Sequence, residues 1–154
     1  MVVIDTDVLF LAFAFHEDER QGANAEFLNR VRTQAPALTV YNLMEVLGKL
    51  SFNLSPSRLD QWQSWLIDAN RLTVVWPADP ADGMSPISFR SEILEEPLRR
   101  MRQHRMAFMD ALVLGLAERT ANVEHLVTWN ARHFQGKTPL SVVTPAEYLA
   151  LPAQ

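Results

Sequence analysis

The residues best suited to chemistry are carboxylates that interrupt apolar segments, and the first of them is Asp5. The run before it, Val2–Ile4, consists of β-branched residues and predicts a short buried strand. In open α/β sheets, ligands bind at the carboxyl ends of the strands, which is where this side chain would lie. A carboxylate in such a place is usually kept ionised by a metal ion, an arginine or a helix amino terminus. We therefore expect Asp5 to belong to a binding or catalytic site.

Two more carboxylates lie early in predicted helices. Glu45 belongs to the first turns of an amphipathic helix over residues 41–52, where the helix dipole alone could also account for an acid. Asp110 stands near the start of a strongly apolar helix over residues 106–121, and such surroundings disfavour a carboxylate unless it is paired or bound to a cation. Asp7 could either add charge to the site or cap the first helix.

Asn130 is the fourth polar side chain of this kind, because it follows a predicted strand over residues 124–128. The carboxyl ends of parallel strands share one edge of a sheet, so we expect these side chains to meet. Three carboxylates and an amide oxygen, in a chain without cysteine, make an all-oxygen site suited to Mg²⁺ or Mn²⁺ rather than zinc. A cation held there could bind a phosphodiester oxygen and activate water.

Strands and helices alternate along the chain. Apolar runs bounded by turn residues predict strands over residues 2–4, 38–40, 72–76, 124–128 and 141–143. Helical periodicity and capping signals predict helices over residues 8–15, 22–35, 41–52, 88–103 and 106–121, another that starts after Ser55, and a terminal helical turn over residues 145–149. Pro97 is placed to kink or interrupt the helix over residues 88–103. Such alternation is typical of a three-layer α/β/α sandwich with a mostly parallel sheet of four to five strands. The segment 77–86 has linker-like composition but is short enough to be a loop inside one domain spanning residues 1–154.

The composition is that of a globular protein without extreme charge. The chain has 154 residues, 48% of them hydrophobic, and its net charge of −4 argues against a protein that holds nucleic acid by bulk positive charge. The absence of cysteine is compatible with a reducing compartment. Because the sequence has neither a signal-peptide pattern nor an apolar run long enough to span a bilayer, we expect a cytoplasmic protein without membrane association.

One concentrated basic run occupies residues 98–105, in a chain whose only lysines are Lys49 and Lys137. Most charge runs are solvated helix faces, and that interpretation remains open here. The alternative is that an arginine cluster just before an acidic site holds phosphates through bidentate contacts. The arginines concerned are Arg99, Arg100, Arg102 and Arg105.

Four motifs occur in order along the chain: I-D-T-D-V-L at residues 4–9, N-x-x-E-V-L at 42–47, M-D-A-L-V-L at 109–114 and L-V-T-W-N-x-x-H-F at 126–134. In this order they resemble the PIN-domain family, especially its bacterial toxin branch, called VapC-type. Each motif alone is weakly specific, but together they cover nearly the whole chain. The resemblance implies a PIN-like fold and metal-dependent cleavage of RNA phosphodiester bonds.

The resemblance also implies roles and partners. Asp5, Glu45 and Asp110 would be catalytic, metal-binding carboxylates for Mg²⁺ or Mn²⁺, and Thr6 and Thr128 would support them from the strand ends. The partner of a toxin of this branch would be a small antitoxin that also binds DNA, and a homodimer would be expected. The arginines of the basic run would then contact the RNA substrate.

The sequence departs from the family pattern at the last acidic position. Asn130 stands where an Asp is common, so it would bind metal directly or through water without adding negative charge. Asp7 would restore some acidity beside it. His133 is expected to be a structural or RNA-contacting side chain rather than a metal ligand.

Two other functions remain open. The D-T-D-V-L motif approximates the nucleophile motif of haloacid-dehalogenase-like phosphatases, in which Asp5 would be phosphorylated and Asp7 would act as acid and base. That chemistry needs a lysine in the site, and Lys49 and Lys137 are predicted to lie in poor positions; a phospho-receiver domain lacks the same lysine. The second alternative is a PIN-like module with a decayed site that binds RNA or protein, as Asn130 suggests.

Overall fold

The computed structural model describes residues 1–14, 17–77 and 85–152, and a β-sheet runs through the middle of this part of the chain. Its strands are β1 (Val2–Ile4), β2 (Ala37–Thr39), β3 (Thr73–Val75), β4 (His125–Val127) and β5 (Ser141–Val143). Their order across the sheet is β3-β2-β1-β4-β5, and all four pairings are parallel. The predicted α/β class is confirmed, and the five-stranded sheet is parallel throughout rather than mostly parallel.

Helices connect the strands. They are α1 (Thr6–Ala14), α2 (Gln21–Val31), α3 (Val40–Ser51), α4 (Pro56–Asn70), α5 (Pro86–Arg90), α6 (Glu96–His104), α7 (Phe108–Arg119), α8 (Ala131–Phe134) and α9 (Pro145–Leu149), with a 3₁₀ turn at Arg32–Gln34. No helix in the described part of the chain is long and apolar enough to cross a membrane. Residue 15 of the predicted first helix and residues 78–84 of the predicted loop lie outside the described residues.

Hydrophobic cores lie on both faces of the sheet. Val2 and Ile4 pack on one face and Val3 packs on the other, because side chains alternate along a strand. The first core is completed mainly by helical residues from α1 to α4 and α9, namely Val8, Leu9, Phe27, Val31, Leu43, Val46, Leu66 and Tyr148. The second is completed mainly by α7 and α8 through Ala111, Leu114, Ala117 and Phe134. The predicted three-layer α/β/α sandwich is therefore confirmed.

The register of the strands brings their carboxyl ends together. Ile4 pairs with Val127, so the residues that follow β1 and β4 leave the sheet side by side. Strand β2 ends at Thr39, one residue earlier than the sequence suggests, and Val40 begins α3. The reason is a helix cap: the hydroxyl of Thr39 accepts a hydrogen bond from the backbone N–H of Asn42 at 3.1 Å.

The helical region before α7 is interrupted, as the position of Pro97 predicts for the helix over residues 88–103. A π-helical turn, Ser91–Glu95, separates α5 from α6. Pro97 follows in the first turn of α6. Proline lacks a backbone N–H, and its ring crowds the carbonyl four residues earlier, so a regular α-helix cannot continue unchanged through this position. The wider π turn accommodates the proline, and the irregularity lies just before it.

Candidate functional site

The Asp5 carboxylate lies at the carboxyl end of β1, where two donors hold one of its oxygens. The backbone N–H of Thr6 donates to Oδ1 at 2.7 Å, and Nδ2 of Asn42 donates to the same atom at 2.9 Å. Asn42 is fully buried in the first turn of α3, and its Oδ1 accepts a hydrogen bond from the Thr39 hydroxyl at 2.6 Å. This chain of contacts fixes the carboxylate to two neighbouring strands of the sheet.

Glu45 reaches the same place from the second turn of α3. Its Oε2 accepts a hydrogen bond from Thr6 Oγ1 at 2.8 Å, and that hydroxyl in turn accepts from Asn42 Nδ2 at 3.1 Å. Its Oε1 accepts a hydrogen bond from Nζ of Lys49, one helical turn later, at 2.7 Å. The structure therefore brings Asp5, Thr6 and Glu45 together as the sequence predicts. It also brings Lys49 to the site, which corrects the expectation that this lysine is poorly placed.

Asp7 connects α1 to the segment after β4. Its Oδ2 accepts hydrogen bonds from Thr128 Oγ1 at 3.0 Å and from the backbone N–H of Asn130 at 3.1 Å. Its Oδ1 accepts from the backbone N–H of Trp129 at 3.2 Å. Thr128 is buried, and its hydroxyl also accepts from the Asn130 N–H at 3.1 Å. The carboxylate of Asp7 thus clamps the segment after β1 to the segment after β4, which limits what it can offer to a cation.

Asp110 lies in the first turn of α7 and pairs with His133. The distance from Asp110 Oδ2 to His133 Nε2 is 2.9 Å, and both side chains are about one third exposed. His133 belongs to α8, so this contact joins two helices that flank the same edge of the sheet. Among the described residues, no hydrogen bond links Asp110 directly to Asp5 or Glu45. Asn130 precedes α8 and is exposed; its side chain makes no capping hydrogen bond there.

Negative charge accumulates around Asp5. Burial, followed by the nearby charge of Asp7, raises the pKa of Asp5 from 3.8 to about 7, and Glu45 contributes in the same direction. Burial also raises the pKa of Asp7, although its hydrogen bonds to backbone N–H groups oppose that shift. A buried carboxyl group with a pKa near neutrality beside other acids is typical of functional sites.

The donor atoms at this edge are suited to a hard divalent cation, but they do not form a finished set of ligands. All the candidate ligands offer oxygen, the donor type that Mg²⁺ prefers, and a cation would relieve the mutual repulsion around Asp5. Within residues 1–14, 17–77 and 85–152, however, no three His, Cys, Asp or Glu side chains are grouped so that they could hold a metal ion. Glu45 is held by Lys49, and Asp110 by His133. The site therefore fits such an ion in its chemistry, and its outer carboxylates would have to exchange these partners to bind one.

The basic run contributes both a structural ion pair and exposed charge. Arg100 is buried, and its two terminal nitrogens donate to the two carboxylate oxygens of Glu118 at 2.7 and 2.6 Å. The guanidinium of Arg100 therefore serves to hold α6 against α7. Arg99, Arg102 and Arg105 are exposed, so contact with RNA stays a prediction for these three residues. The buried, ion-paired Arg100 is not available for such a contact.

The structure places two further residues, Asn42 and Lys49, at the site. Asn42 is part of a sequence motif, but the motif does not predict its burial or its hydrogen bond to Asp5. A signal was available, since an asparagine three residues after Thr39 can bond the capping hydroxyl. Lys49 could have been found as the i+4 partner of Glu45 on a helix.

No protein-family model matches this chain, and no curated protein does either. Solved structures do resemble it. The crystal structure of VapBC2 from Rickettsia felis bound to a DNA fragment from their promoter matches with a TM-score of 0.65 over 94% of this chain and 98% of that chain, at 16% sequence identity. The crystal structure of FitAcB from Neisseria gonorrhoeae matches with a TM-score of 0.62 over the same shares, at 14% identity. The chain described here therefore has the fold seen in these two structures, over nearly its whole length.

Proposed function

We propose that this protein is a metal-dependent endoribonuclease that hydrolyses RNA phosphodiester bonds. The observation that carries the proposal is the Asp5 carboxylate at the carboxyl end of β1, which has a pKa raised to about 7 and lies near Asp7 and Glu45. Burying acids close to one another is costly unless a cation binds to them. The similarity to VapBC2 supports the same proposal, because the motifs of this chain resemble the VapC-type branch of the PIN-domain family.

In this proposal Asp5, Glu45 and Asp110 hold a Mg²⁺ or Mn²⁺ ion, with Asn130 as a direct or water-mediated ligand. Such an ion supplies Lewis acidity for hydrolysis of a phosphodiester. Thr6 keeps Glu45 beside Asp5 through its hydroxyl. Thr128 holds Asp7, and Asp7 holds the backbone of Asn130, so these two residues position the fourth ligand rather than bind the ion themselves.

The exposed arginines Arg99, Arg102 and Arg105 and the imidazole of His133 are proposed to contact RNA around the site. Their chemistry favours phosphate oxygens, which any RNA sequence presents. The protein would act as the toxin of a toxin–antitoxin pair, with a small antitoxin as its partner and a homodimer as its assembly. These last points rest on the motif resemblance and on the similarity to VapBC2.

The test is cleavage of a mixed pool of structured RNA by the purified chain with Mg²⁺ or Mn²⁺. Cutting should disappear in EDTA and in Asp5→Asn and Asp110→Asn, whereas Asp60→Asn, which changes an exposed carboxylate on α4, should cut like the wild type. Circular dichroism of each variant checks that the fold is kept. Undiminished cutting by both Asp5→Asn and Asp110→Asn would reject the proposal.

A second candidate is a PIN-like module that binds RNA or protein without cutting. The observation that favours it is the lack of a ready group of three acidic or histidine ligands among the described residues, together with Asn130 at the fourth position. Mn²⁺ titration separates the two functions, because a non-catalytic module should show no carboxylate-dependent binding. If the wild type does not cut RNA but Asn130→Asp does, the second function is favoured.

The phosphatase alternative is disfavoured by the surroundings of Asp7. An acid and base catalyst has to present its carboxyl group to the reacting atoms. Both oxygens of Asp7 instead accept hydrogen bonds from Thr128, Trp129 and Asn130. Lys49 does lie near the site, but it is engaged with Glu45.

A further inference from the structure

We infer that a pocket beside Asp7 binds one unpaired nucleobase of the RNA, next to the bond that is cut. The pocket has a volume of about 380 Å³, which is within the usual range for small-ligand sites. It is lined by Asp7, Phe10, Leu11, Arg20, Lys49 and Trp129. This inference rests on the proposed ribonuclease function and adds to it a determinant of substrate choice.

Trp129 is held in one orientation on the wall of this pocket. Its indole Nε1 donates a hydrogen bond to Asn24 Oδ1 at 2.8 Å, and its backbone N–H donates to Asp7. Asn24 is fully buried and is fixed in turn by a bond from its Nδ2 to the carbonyl of Val8 at 3.0 Å. A ring secured in this way loses little conformational entropy on binding, so it makes a good platform for stacking.

A cation lies over each aromatic ring of the pocket. The guanidinium carbon of Arg20 is 5.5 Å from the centroid of the Trp129 ring, and Nζ of Lys49 is 4.9 Å from that of Phe10. Asp18 binds Arg20 through Nε and one terminal nitrogen, at 2.8 and 2.6 Å, which orients the guanidinium plane. Since an arginine carries five N–H donors, three remain for a base edge or a phosphate.

These features favour a nucleotide over an apolar side chain of a protein partner. The aromatic rings of the pocket can stack on a base, and the cations beside them can bind its phosphate. A guanidinium plane can also stack on a base. Lys49 joins the pocket to the proposed catalytic centre, because its ammonium group also binds Glu45. A nucleotide in the pocket would therefore present its phosphate close to Asp5 and Glu45. Only an unpaired base can enter, since a base in a duplex is stacked and paired.

The experiment uses short single-stranded RNA that carries one fluorescent adenine analogue, mixed with the full chain in EDTA so that no cutting occurs. Stacking of the analogue on an aromatic ring quenches its fluorescence, and the titration also gives the dissociation constant. The variants are Trp129→Leu and Arg20→Gln, and the matched control is Trp76→Leu, an exposed tryptophan after β3 that does not line the pocket. Arg20→Gln changes an exposed side chain, so it tests the pocket even if Trp129→Leu unfolds the protein.

We expect quenching by the wild type and by Trp76→Leu, and little quenching by Trp129→Leu, with binding weakened about ten- to hundredfold. Arg20→Gln should bind several-fold more weakly at an unchanged melting temperature. The same RNA annealed to its complement should bind weakly and show no quenching.

Cleavage assays with the same variants in Mn²⁺ distinguish the two possible failures. If the wild type cuts RNA and both Trp129→Leu and Arg20→Gln cut it with the same kcat/KM, the base-binding pocket is refuted while the ribonuclease stands; the pocket would then be left for an apolar side chain of a protein partner. Equal binding of single-stranded and duplex RNA also refutes the pocket. If the wild type neither binds nor cuts any RNA, the proposed function itself fails.

Discussion

Nδ2 of Asn42 donates a hydrogen bond to Oδ1 of Asp5 at 2.9 Å, and this single contact joins the helix after β2 to the acid after β1. The same amide nitrogen reaches Thr6, and the amide oxygen accepts from Thr39. All these groups are buried or partly buried, and the side-chain amide of Asn42 supplies one hydrogen-bond partner to each of them. Asn42 therefore positions the proposed catalytic carboxylate without itself offering charge.

The first prediction concerns this positioning. Asn42→Ala should lower the free energy of unfolding by roughly 2 kcal/mol. The substitution removes two hydrogen bonds of buried or partly buried groups, one to the Thr39 hydroxyl and one to an oxygen of Asp5. Urea denaturation followed by circular dichroism measures the change. Asn53→Ala, at an exposed asparagine, is the matched control and should unfold like the wild type. Equal midpoints for the two variants would show that the buried amide contributes nothing.

The second prediction follows from the pKa of Asp5, which burial and Asp7 raise from 3.8 to about 7. Between these values the folded chain keeps a proton that the unfolded chain has lost, so the stability linked to Asp5 is complete below about pH 4 and is lost as the pH rises to about 7. At its steepest, the fall in the free energy of unfolding should approach about 1.4 kcal/mol per pH unit, which is the linkage value for one proton. Urea denaturation in EDTA across this range measures it.

Asp5→Asn provides the comparison for that pH series. The amide carries no charge, so the free energy of unfolding of this variant should fall less as the pH rises from about 4 to about 7. The variant should therefore be more stable than the wild type at neutral pH. Asp60→Asn replaces an exposed acid, so its free energy of unfolding should fall with rising pH as much as that of the wild type. If Asp5→Asn and Asp60→Asn give parallel curves, the charge at Asp5 is not costly to the fold.

The third prediction concerns the competition between Lys49 and a metal ion for Glu45. Lys49→Met should bind Mn²⁺ about two- to threefold more tightly, because it removes an exposed ion pair that a metal would have to break. Glu45→Gln should bind Mn²⁺ more weakly than the wild type. Isothermal titration calorimetry measures both affinities, with Lys137→Met as the control for net charge. Weaker binding by Lys49→Met would mean that the lysine supports the metal site instead of competing with it.

The fourth prediction separates two neighbouring arginines. Arg100→Ala should destabilise the chain by roughly 3 kcal/mol, because it leaves Glu118 largely buried without its charged partner. Arg102→Ala should leave the melting temperature unchanged but weaken RNA binding and reduce the slope of log affinity against log salt by about one. Thermal unfolding and binding at several salt concentrations test the pair. If Arg102→Ala keeps the wild-type salt slope, the exposed arginine does not contact a phosphate.

The fold could be predicted from the sequence because its signals are local. Short β-branched runs such as Val2–Ile4 alternate with amphipathic helices, and this pattern favours few architectures. The ends of the elements were less predictable. Val40 suits a strand as well as a helix, and the choice was made by a side-chain cap from Thr39. Pro97 predicts an interruption of the helix over residues 88–103, but the form of the interruption, a π turn at Ser91–Glu95, depends on how the chain adapts to the proline, which local periodicity does not describe.

The partners of charged side chains were the part that sequence reasoning could not supply. Asp5 and Glu45 were expected to approach each other, because both follow strands of one parallel sheet. The pairing of Arg100 with Glu118 depends instead on how α6 rotates against α7, and nothing in the basic run distinguishes this arginine from Arg102. The pair of Asp110 and His133 similarly needs the relative placement of two helices.

The clamp on Asp7 determines when the site can form as the chain is made. Synthesis proceeds from the amino terminus, so β1 and Asp7 emerge early, whereas Thr128, whose hydroxyl holds Asp7, follows 121 residues later. β4, the neighbour of β1 in the sheet, emerges just as late. A growing chain consequently has no closed site until β4 and Thr128 have emerged, so the proposed nuclease could not act on its own message before that point.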